Sequence, residues 1–393
     1  MPLKNLLYLL QLEEYDLGRF NEWLKRNPNR IVAEKKNSLK WTPKARAIFV
    51  LAKIFGIKTA VYILSPVDWL FKKIMVLRAG AKIKKMADLM VIGVTGSYGK
   101  TTIKDAIAHV LIHKHKILKT EGNFNTHLGV AKTIVQELRP EHKIFICEIA
   151  AYRPGDIKEI AGLVGPKIGI VTAIGPMHFE RFGSMENILK TKLELIESLP
   201  SDGIGFLSQE LESQIKQHNF HAKIEFFESK EELLIKISKI FEITENEVMG
   251  LIKTMPSTSH RQEIIKASGN ITIIDDTYNS NPAGFVLALE TLKNIDAKRK
   301  ILITPGMIEL GEKQFELNKE AALRAAKIAD FVIIVGETNK FALEEGLKDG
   351  FKNDFAEKVF CVSDLDSAKK KLSEITIPGS AILLENDLPD HYF

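Results

Sequence analysis

Residues 95–102 read Thr95-Gly96-Ser97-Tyr98-Gly99-Lys100-Thr101-Thr102, directly after the apolar run Leu89-Met90-Val91-Ile92-Gly93-Val94 and before a helical pattern that starts at Ile103. A buried strand, a tight glycine turn and a helix start make an anion site. Backbone N–H groups of the turn and the positive end of the helix dipole both point at phosphate. In such a loop Lys100 adds a point charge for the β- and γ-phosphates, and Thr101 adds a hydroxyl for Mg²⁺. The strict eight-residue pattern has Gly where Val94 stands, so this loop is a variant. Strand, loop and helix nevertheless fall in the required order, which predicts a chain that binds a nucleoside triphosphate through Thr95–Thr102.

On either side of this loop the pattern alternates. Strand-like runs at 90–94, 116–119, 143–149, 168–172, 203–207 and 223–227 are separated by helical stretches at 101–113, 127–138, 184–198 and 230–240. Alternation of this kind predicts a parallel sheet covered by helices. Met255-Pro256-Ser257-Thr258-Ser259 reads as a linker. A second series follows, with strands near 271–276, 299–304, 331–335, 358–362 and 380–385 and helices near 281–294, 315–328 and 364–373. The expected fold class is therefore α/β. A central phosphate-loop sheet domain at 88–255 is joined to a smaller, doubly wound, Rossmann-like domain at 256–393.

Residues 1–87 are a different kind of object. Residues 1–90 hold 18 Lys+Arg against 7 Asp+Glu, a net of +11, while the remainder is net −6. Trp23, Trp41 and Trp69 all lie there. From 46 to 71 the segment is largely apolar, interrupted by Lys53, Lys58 and Asp68 and broken by Pro66. It holds no run of the roughly 18 apolar residues that a spanning helix needs. Two readings stay open: helices lying on an anionic membrane surface, or a helical cap on the catalytic domain with solvated lysines. Glu13, Glu14 and Asp16 stand where a secretory signal would have its apolar core, so none is expected. Cys147 and Cys361 lie far apart without metal spacing, which suits a reduced cytoplasmic compartment. Hydrophobic content of 45% and charged content of 27% are those of a globular protein.

Further motifs follow the loop in order: Glu121-Gly122-Asn123-Phe124-Asn125, Cys147-Glu148, Arg153-Pro154-Gly155-Asp156-Ile157, then Ile174-Gly175-Pro176-Met177-His178-Phe179-Glu180-Arg181-Phe182-Gly183-Ser184. Thr191-Lys192-Leu193-Glu194, His260-Arg261 and Asp275-Asp276-Thr277-Tyr278-Asn279-Ser280-Asn281-Pro282 complete the set. Over about residues 88–375 the chain resembles the Mur ligase family, and within it the D-alanyl-D-alanine-adding branch. The resemblance implies an enzyme that uses ATP and Mg²⁺ to activate a carboxylate as an acyl phosphate, which an amine then attacks to give an amide, ADP and phosphate.

It also implies roles. Lys100, Asn123, His178, Lys192 and Arg261 are expected to be catalytic. Asp276 would bind the ribose hydroxyls, with Tyr278 and Asn281 in the same crevice and Asp275 orienting. Thr101 and Glu148 would serve one metal ion, and His178 with a carbamylated Lys192 a second. Asn125 would join Asn123 in offering an amide to substrate. The expected partners are a small-molecule or lipid-linked cell-wall precursor and an amino acid or dipeptide, with no nucleic acid and with an anionic membrane surface as a further candidate.

Departures from the family pattern are Ala173 in place of Asn, Thr304-Pro305-Gly306-Met307, the acidic ending Glu385-Asn386-Asp387-Leu388-Pro389-Asp390, and no counterpart in 226–240 of the helix that contacts adenine. The family's N-terminal UDP-binding domain is not recognisable in the basic, Trp-bearing segment. Two alternatives remain, a folylpolyglutamate- or cyanophycin-type ligase and a non-catalytic membrane-associated ATP-binding subunit. Arg153–Ile157 and Asp275–Pro282 argue against the first, and the joint presence of Glu148, His178 and Lys192 against the second.

Overall fold

The computed structural model describes residues 2–13, 15–26, 39–122, 124–176, 179–256, 261–278 and 280–386. The expectations placed on Asn123, Met177, His178, Ser257, Thr258, Ser259, His260, Asn279 and 387–390 fall outside the described residues, as do the side chains of Glu180 and Arg181.

Four helices come first: α1 (Leu3–Leu12), α2 (Leu17–Arg26), α3 (Pro43–Phe55) and α4 (Ile57–Lys84). They form a small core of their own around Leu7, Leu9, Phe20, Trp23, Ile48 and Ile57. Gly56, at φ 79°, makes the elbow between α3 and α4, a conformation that glycine adopts without cost. Pro66 does not end a helix, contrary to the sequence reading, because α4 runs through it. Proline removes the donor that Tyr62 O would accept. The Ser65 hydroxyl takes that place, donating to Tyr62 O at 2.8 Å.

The central domain holds β1 (Met90–Thr95), α5 (Lys100–Leu111), β2 (Ile117–Lys119), α6 (His127–Glu137), β3 (Ile144–Glu148), α7 (Asp156–Val164), β4 (Ile168–Val171), α8 (Phe179–Phe182), α9 (Met185–Glu197), β5 (Ile204–Ser208), β6 (Lys223–Phe227), α10 (Lys230–Ile240) and α11 (Glu245–Lys253). The strands are parallel, in the order β2-β3-β1-β4-β5-β6. Near-continuous Ile/Val runs such as Val91–Val94 are what a sheet covered on both faces requires. The connection from β1 runs to β2 on one side while that from β3 runs to β4 on the other, so the crevice between the carboxyl ends of β1 and β3 is a topological switch point.

The second domain orders its strands β11-β10-β9-β12-β8-β7. They are β7 (Glu263–Ala267), β8 (Ile271–Asp276), β9 (Arg299–Thr304), β10 (Phe331–Val335), β11 (Val359–Val362) and β12 (Ser380–Glu385), with α12 (Pro282–Asn294), α13 (Gln314–Ala325), α14 (Lys340–Phe351), α15 (Phe355–Lys358) and α16 (Leu365–Ile375) around them. Only the β7–β8 pair is antiparallel among the pairings described. Strand β7, helices α7, α11 and α14, and the one-turn helices α8 and α15 are additions to the elements that the sequence pattern predicted.

Candidate active site

Gly96 and Gly99 make the turn after β1 with φ of 146° and 78°. A Cβ at Gly96 would stand 2.0 Å from the Thr172 hydroxyl, so the close approach of two loops excludes a side chain there. That neighbouring loop braces the turn: Ser97 N donates to Ala173 O at 2.7 Å, and the Ser97 hydroxyl to Gly175 O at 3.1 Å. The Tyr98 ring lies where a Cβ on Gly175 would be, 2.3 Å from its nearest ring atom. The Thr95 hydroxyl donates to Ile149 O at 2.8 Å, tying the loop to the end of β3.

Lys100 opens α5 and folds back over its own loop, donating to Gly96 O at 2.9 Å and Ser97 O at 3.0 Å. Burial pulls its ammonium down to about 8; the Arg261 charge pulls the same way and Glu148 opposes. Glu148 ends β3 almost fully buried. Its Oε2 lies 3.3 Å from Lys104 Nζ, and its Oε1 accepts from Asn125 Nδ2 at 3.0 Å. Lys104, one turn beyond Lys100 on α5, is itself fully buried. Lys192 is buried on α9, with its Nζ 5.9 Å from the Phe182 ring centre. Desolvation, then Lys100, drives its amine down to about 7 against the pull of Glu194 and Asp156.

Two quoted motifs serve to hold this region in shape. Asp156 accepts from the backbone N–H of Tyr152 (2.9 Å) and Arg153 (3.1 Å). Glu194, two residues after Lys192, accepts from Gly155 N at 2.7 Å and Lys158 N at 3.0 Å. The carboxylate therefore sits on the positive end of α7, where both donors and dipole favour it.

The second domain reaches this site through Arg261, whose Nη2 donates to the Thr101 hydroxyl at 3.1 Å while its guanidinium stacks on Tyr278, 4.3 Å from the ring centre. A second bridge runs from Phe179 N to Glu309 O at 3.1 Å. Asp276 ends β8 and accepts from Gln262 N at 3.2 Å. Burial lifts its carboxyl to about 6. Asp276 pairs in register with Glu385 of β12, which is fully buried and raised further by desolvation and by Asp276. The Ser280 hydroxyl donates to Glu385. Asp275 accepts from Thr277 N and hydroxyl, at 3.1 and 2.6 Å.

A cavity of about 840 Å³ opens between the domains, its walls including Thr101, Thr102, His109, Met255, Arg261 and Tyr278. Asn281 is not among its lining residues. Its Oδ1 accepts from Gly284 N at 2.8 Å and caps α12. The structure thus brings together Thr95–Thr102, Glu148, Lys192, Arg261, Asp276 and Tyr278, and gives Asn281 to a helix end. Sequence reasoning missed Lys104 and Glu385. The first could have been suspected from its spacing on α5, one helical turn after Lys100.

Glu148 Oε2 is buried with only the Lys104 ammonium, at 3.3 Å, beside it and no aligned hydrogen bond among the described residues, and Thr101 supplies a hydroxyl that accepts from Arg261. Hard oxygen donors of this kind suit Mg²⁺. No group of three or more His, Cys, Asp or Glu side chains that could hold a metal by themselves occurs among the described residues.

Sheet, loop and bridging arginine define a phosphate-loop protein whose second α/β domain completes the site. Residues 94–273 match the Mur ligase middle domain and residues 260–385 the glutamate ligase domain of Mur ligases. The chain belongs to the Mur ligase family. It is 30% identical over 300 residues to the UDP-N-acetylmuramoyl-tripeptide–D-alanyl-D-alanine ligase of Bacillus subtilis, a match covering 66% of this chain and 65% of that one. The chain spans 60% to 65% of the length of the first curated relatives it matches. In fold it is similar to MurF from Acinetobacter baumannii (TM-score 0.69, 20% identity, covering 80% of this chain and 77% of that one). It is likewise similar to MurF from Thermotoga maritima in complex with ADP (TM-score 0.67, 21% identity, 80% of each chain).

Proposed function

We propose that this chain is an ATP-dependent, amide-forming ligase that joins an amine, D-alanyl-D-alanine or a similar dipeptide, to a carboxylate of a peptidoglycan precursor. The observation that carries this reading is the meeting of Lys100, Thr101 and Glu148 of one domain with Arg261 and Tyr278 of the other at the mouth of the phosphate loop. A precursor carboxylate oxygen attacks the γ-phosphorus of ATP, forming an O–P bond while the bond to ADP breaks. The amine then attacks the acyl carbon, phosphate leaves, and the amine loses a proton. Such transfers depend on positioning and charge neutralisation.

In this reading Lys100 leaves its loop carbonyls for the transferring phosphoryl group, and Arg261 steadies the same charge on domain closure. Asp276 receives the ribose hydroxyls, Tyr278 walls the nucleotide, and Asn123 faces the acyl group. Thr101 and Glu148 would hold Mg²⁺, and His178 and Lys192 a second ion. Bound there, Mg²⁺ supplies charge neutralisation and orients the phosphates. Lys192 suits carbamylation: its amine, brought down to about 7, is in good part neutral at cellular pH and so able to add to CO₂ with loss of a proton.

The proposed units are 1–87, 88–255 and 256–393. The precursor is UDP-linked or lipid-linked, and the chain works at the cytoplasmic face of a membrane. Phosphate release measured across UDP-muramoyl peptides and lipid-linked precursors, each with and without D-alanyl-D-alanine, tests the assignment. Release that needs both a precursor and the dipeptide is expected; ATP turnover indifferent to both overturns the ligase reading.

A further inference from the structure

Helix α4 carries apolar side chains around most of its circumference along its middle, interrupted by Ser65, Asp68, Lys72 and Lys73, whereas a surface helix normally confines them to one stripe. One side does pack. Ile57 and Ala60 face the core of α1–α3, while Met75, Val76, Ala79 and Ile83 pack on the central domain. The other side faces solvent. Tyr62, Val67, Trp69 and Leu77 are each at least 60% exposed, and Ile63, Leu70, Phe71 and Ile74 are exposed beside them. At 3.6 residues per turn these side chains cover about half of the helix circumference over a length of about 24 Å. Val50, Ile54 and Phe55, at the end of α3, are exposed as well. An apolar surface of this extent marks an interaction site.

Charge decides what covers it. Lys53, Lys58, Lys72, Lys73 and Arg78 lie on the same two helices. Lys53 Nζ stands 4.9 Å from the Phe49 ring centre, and Lys73 Nζ stands 4.8 Å from that of Trp69. The single acidic residue of α3 and α4, Asp68, is already held by Lys44 at 3.0 Å and Lys72 at 3.1 Å. Two copies meeting through this face would bring like charges together, whereas an anionic bilayer answers both the cations and the apolar side chains. Trp69 and Tyr62 have the amphipathic rings that settle at headgroup level. Among the described residues, no helix is long and apolar enough to cross a membrane.

We propose that the exposed face of α3 and α4 docks on an anionic lipid bilayer, with α4 lying in the headgroup plane. This rests on the reading that the ligase works at a membrane, and names the surface it uses. The far end of α4 is fastened to the catalytic domain, where Lys82 Nζ donates to Val135 O of α6 at 2.9 Å. Helix α6 in turn starts just after Asn125 and its capping Thr126. Docking would therefore hold the active site at a set height above the lipid.

Co-sedimentation of the full chain with phosphatidylglycerol-containing vesicles and with pure phosphatidylcholine vesicles tests this. The full chain is expected to pellet with the anionic vesicles and much less with the neutral ones, binding weakening as salt rises. The triple variant Val67→Glu, Leu70→Glu, Ile74→Glu, all at exposed positions, is expected to lose at least tenfold in vesicle partition while keeping phosphate release on soluble substrates. A full chain that stays in the supernatant with anionic vesicles overturns the proposal. So does a dimer in solution that the same three substitutions disperse. Vesicle binding by a chain that releases no phosphate would sink the ligase assignment and leave the lipid surface standing.

Discussion

At the carboxyl edge of the first sheet the enclosed charges are mostly cations: Lys100, Lys104 and Lys192 around Glu148. At the matching edge of the second sheet they are carboxyls: Asp275, Asp276 and Glu385. Burial moves Lys100 and Lys192 on the first edge, and Asp276 and Glu385 on the second, toward neutrality. It draws Lys100 down to about 8 and Lys192 to about 7, and it raises Asp276 to about 6. In the proposed reaction the same desolvation would prepare one edge to gain charge when a polyphosphate arrives and the other to accept hydrogen bonds from neutral hydroxyls. Arg261, crossing from the second domain to Thr101, is the cation that belongs by sequence to the acidic side and by position to the basic one.

Removing a cation that works on the phosphates should break this contrast most severely. Lys100→Ala should lower the ligation rate on the order of 10²-fold or more, read by phosphate release. Near-normal turnover would mean that the basic edge does not serve a nucleotide. Lys192→Ala should also be largely inactive, with partial recovery in a short carboxylic acid. The wild type should lose activity as pH falls below about 7, where the Lys192 amine protonates and no longer holds CO₂. Carbon-13 labelled CO₂ should give a carbamate signal that the alanine variant lacks.

Stability sharpens the comparison further. Lys104→Met leaves Glu148 buried without its cation, which should cost about 3 kcal/mol or more. A calorimetric melt should show the loss, and adding Glu148→Gln should recover much of it. The smallest effect concerns the acidic edge. A carboxyl raised to about 6 contributes stability that is fully present below its unfolded value and lost as pH rises through the folded one. Melting temperatures of Asp276→Asn and wild type should therefore diverge between about pH 4 and 7, in favour of the variant. Parallel curves would show that Asp276 is not held in its neutral form.

The parallel strands and the phosphate loop were legible because both leave strong local marks: apolar runs such as Ile144–Cys147, and two glycines around Ser97-Tyr98. Strand β7 was not, since Ile264 and Ile265 are both exposed and give no alternation. Helix α7 hid behind Pro154 and Gly155, whose breaking signals are answered from a distance by Glu194. Pro66 misled for a similar reason, as a neighbouring hydroxyl replaces the lost donor. Lys104 and Glu385 were invisible because a charged residue is by default a surface residue, and their burial depends on partners far away in sequence. Asn281 sits directly before Pro282 at a helix start, a capping signal that the motif match overrode.

Lys100 rests on the carbonyls of Gly96 and Ser97, so the backbone of the loop itself holds the ammonium. In the proposed reaction, nucleotide entry would be an exchange: two internal contacts traded for phosphate contacts on a backbone already shaped. Little ordering is left to be done at that moment, and the entropy of arranging the turn was spent when the chain folded. Selectivity follows from the same trade. A ligand with too little negative charge cannot outbid two carbonyls for the ammonium, and it leaves the cradle occupied by the protein itself.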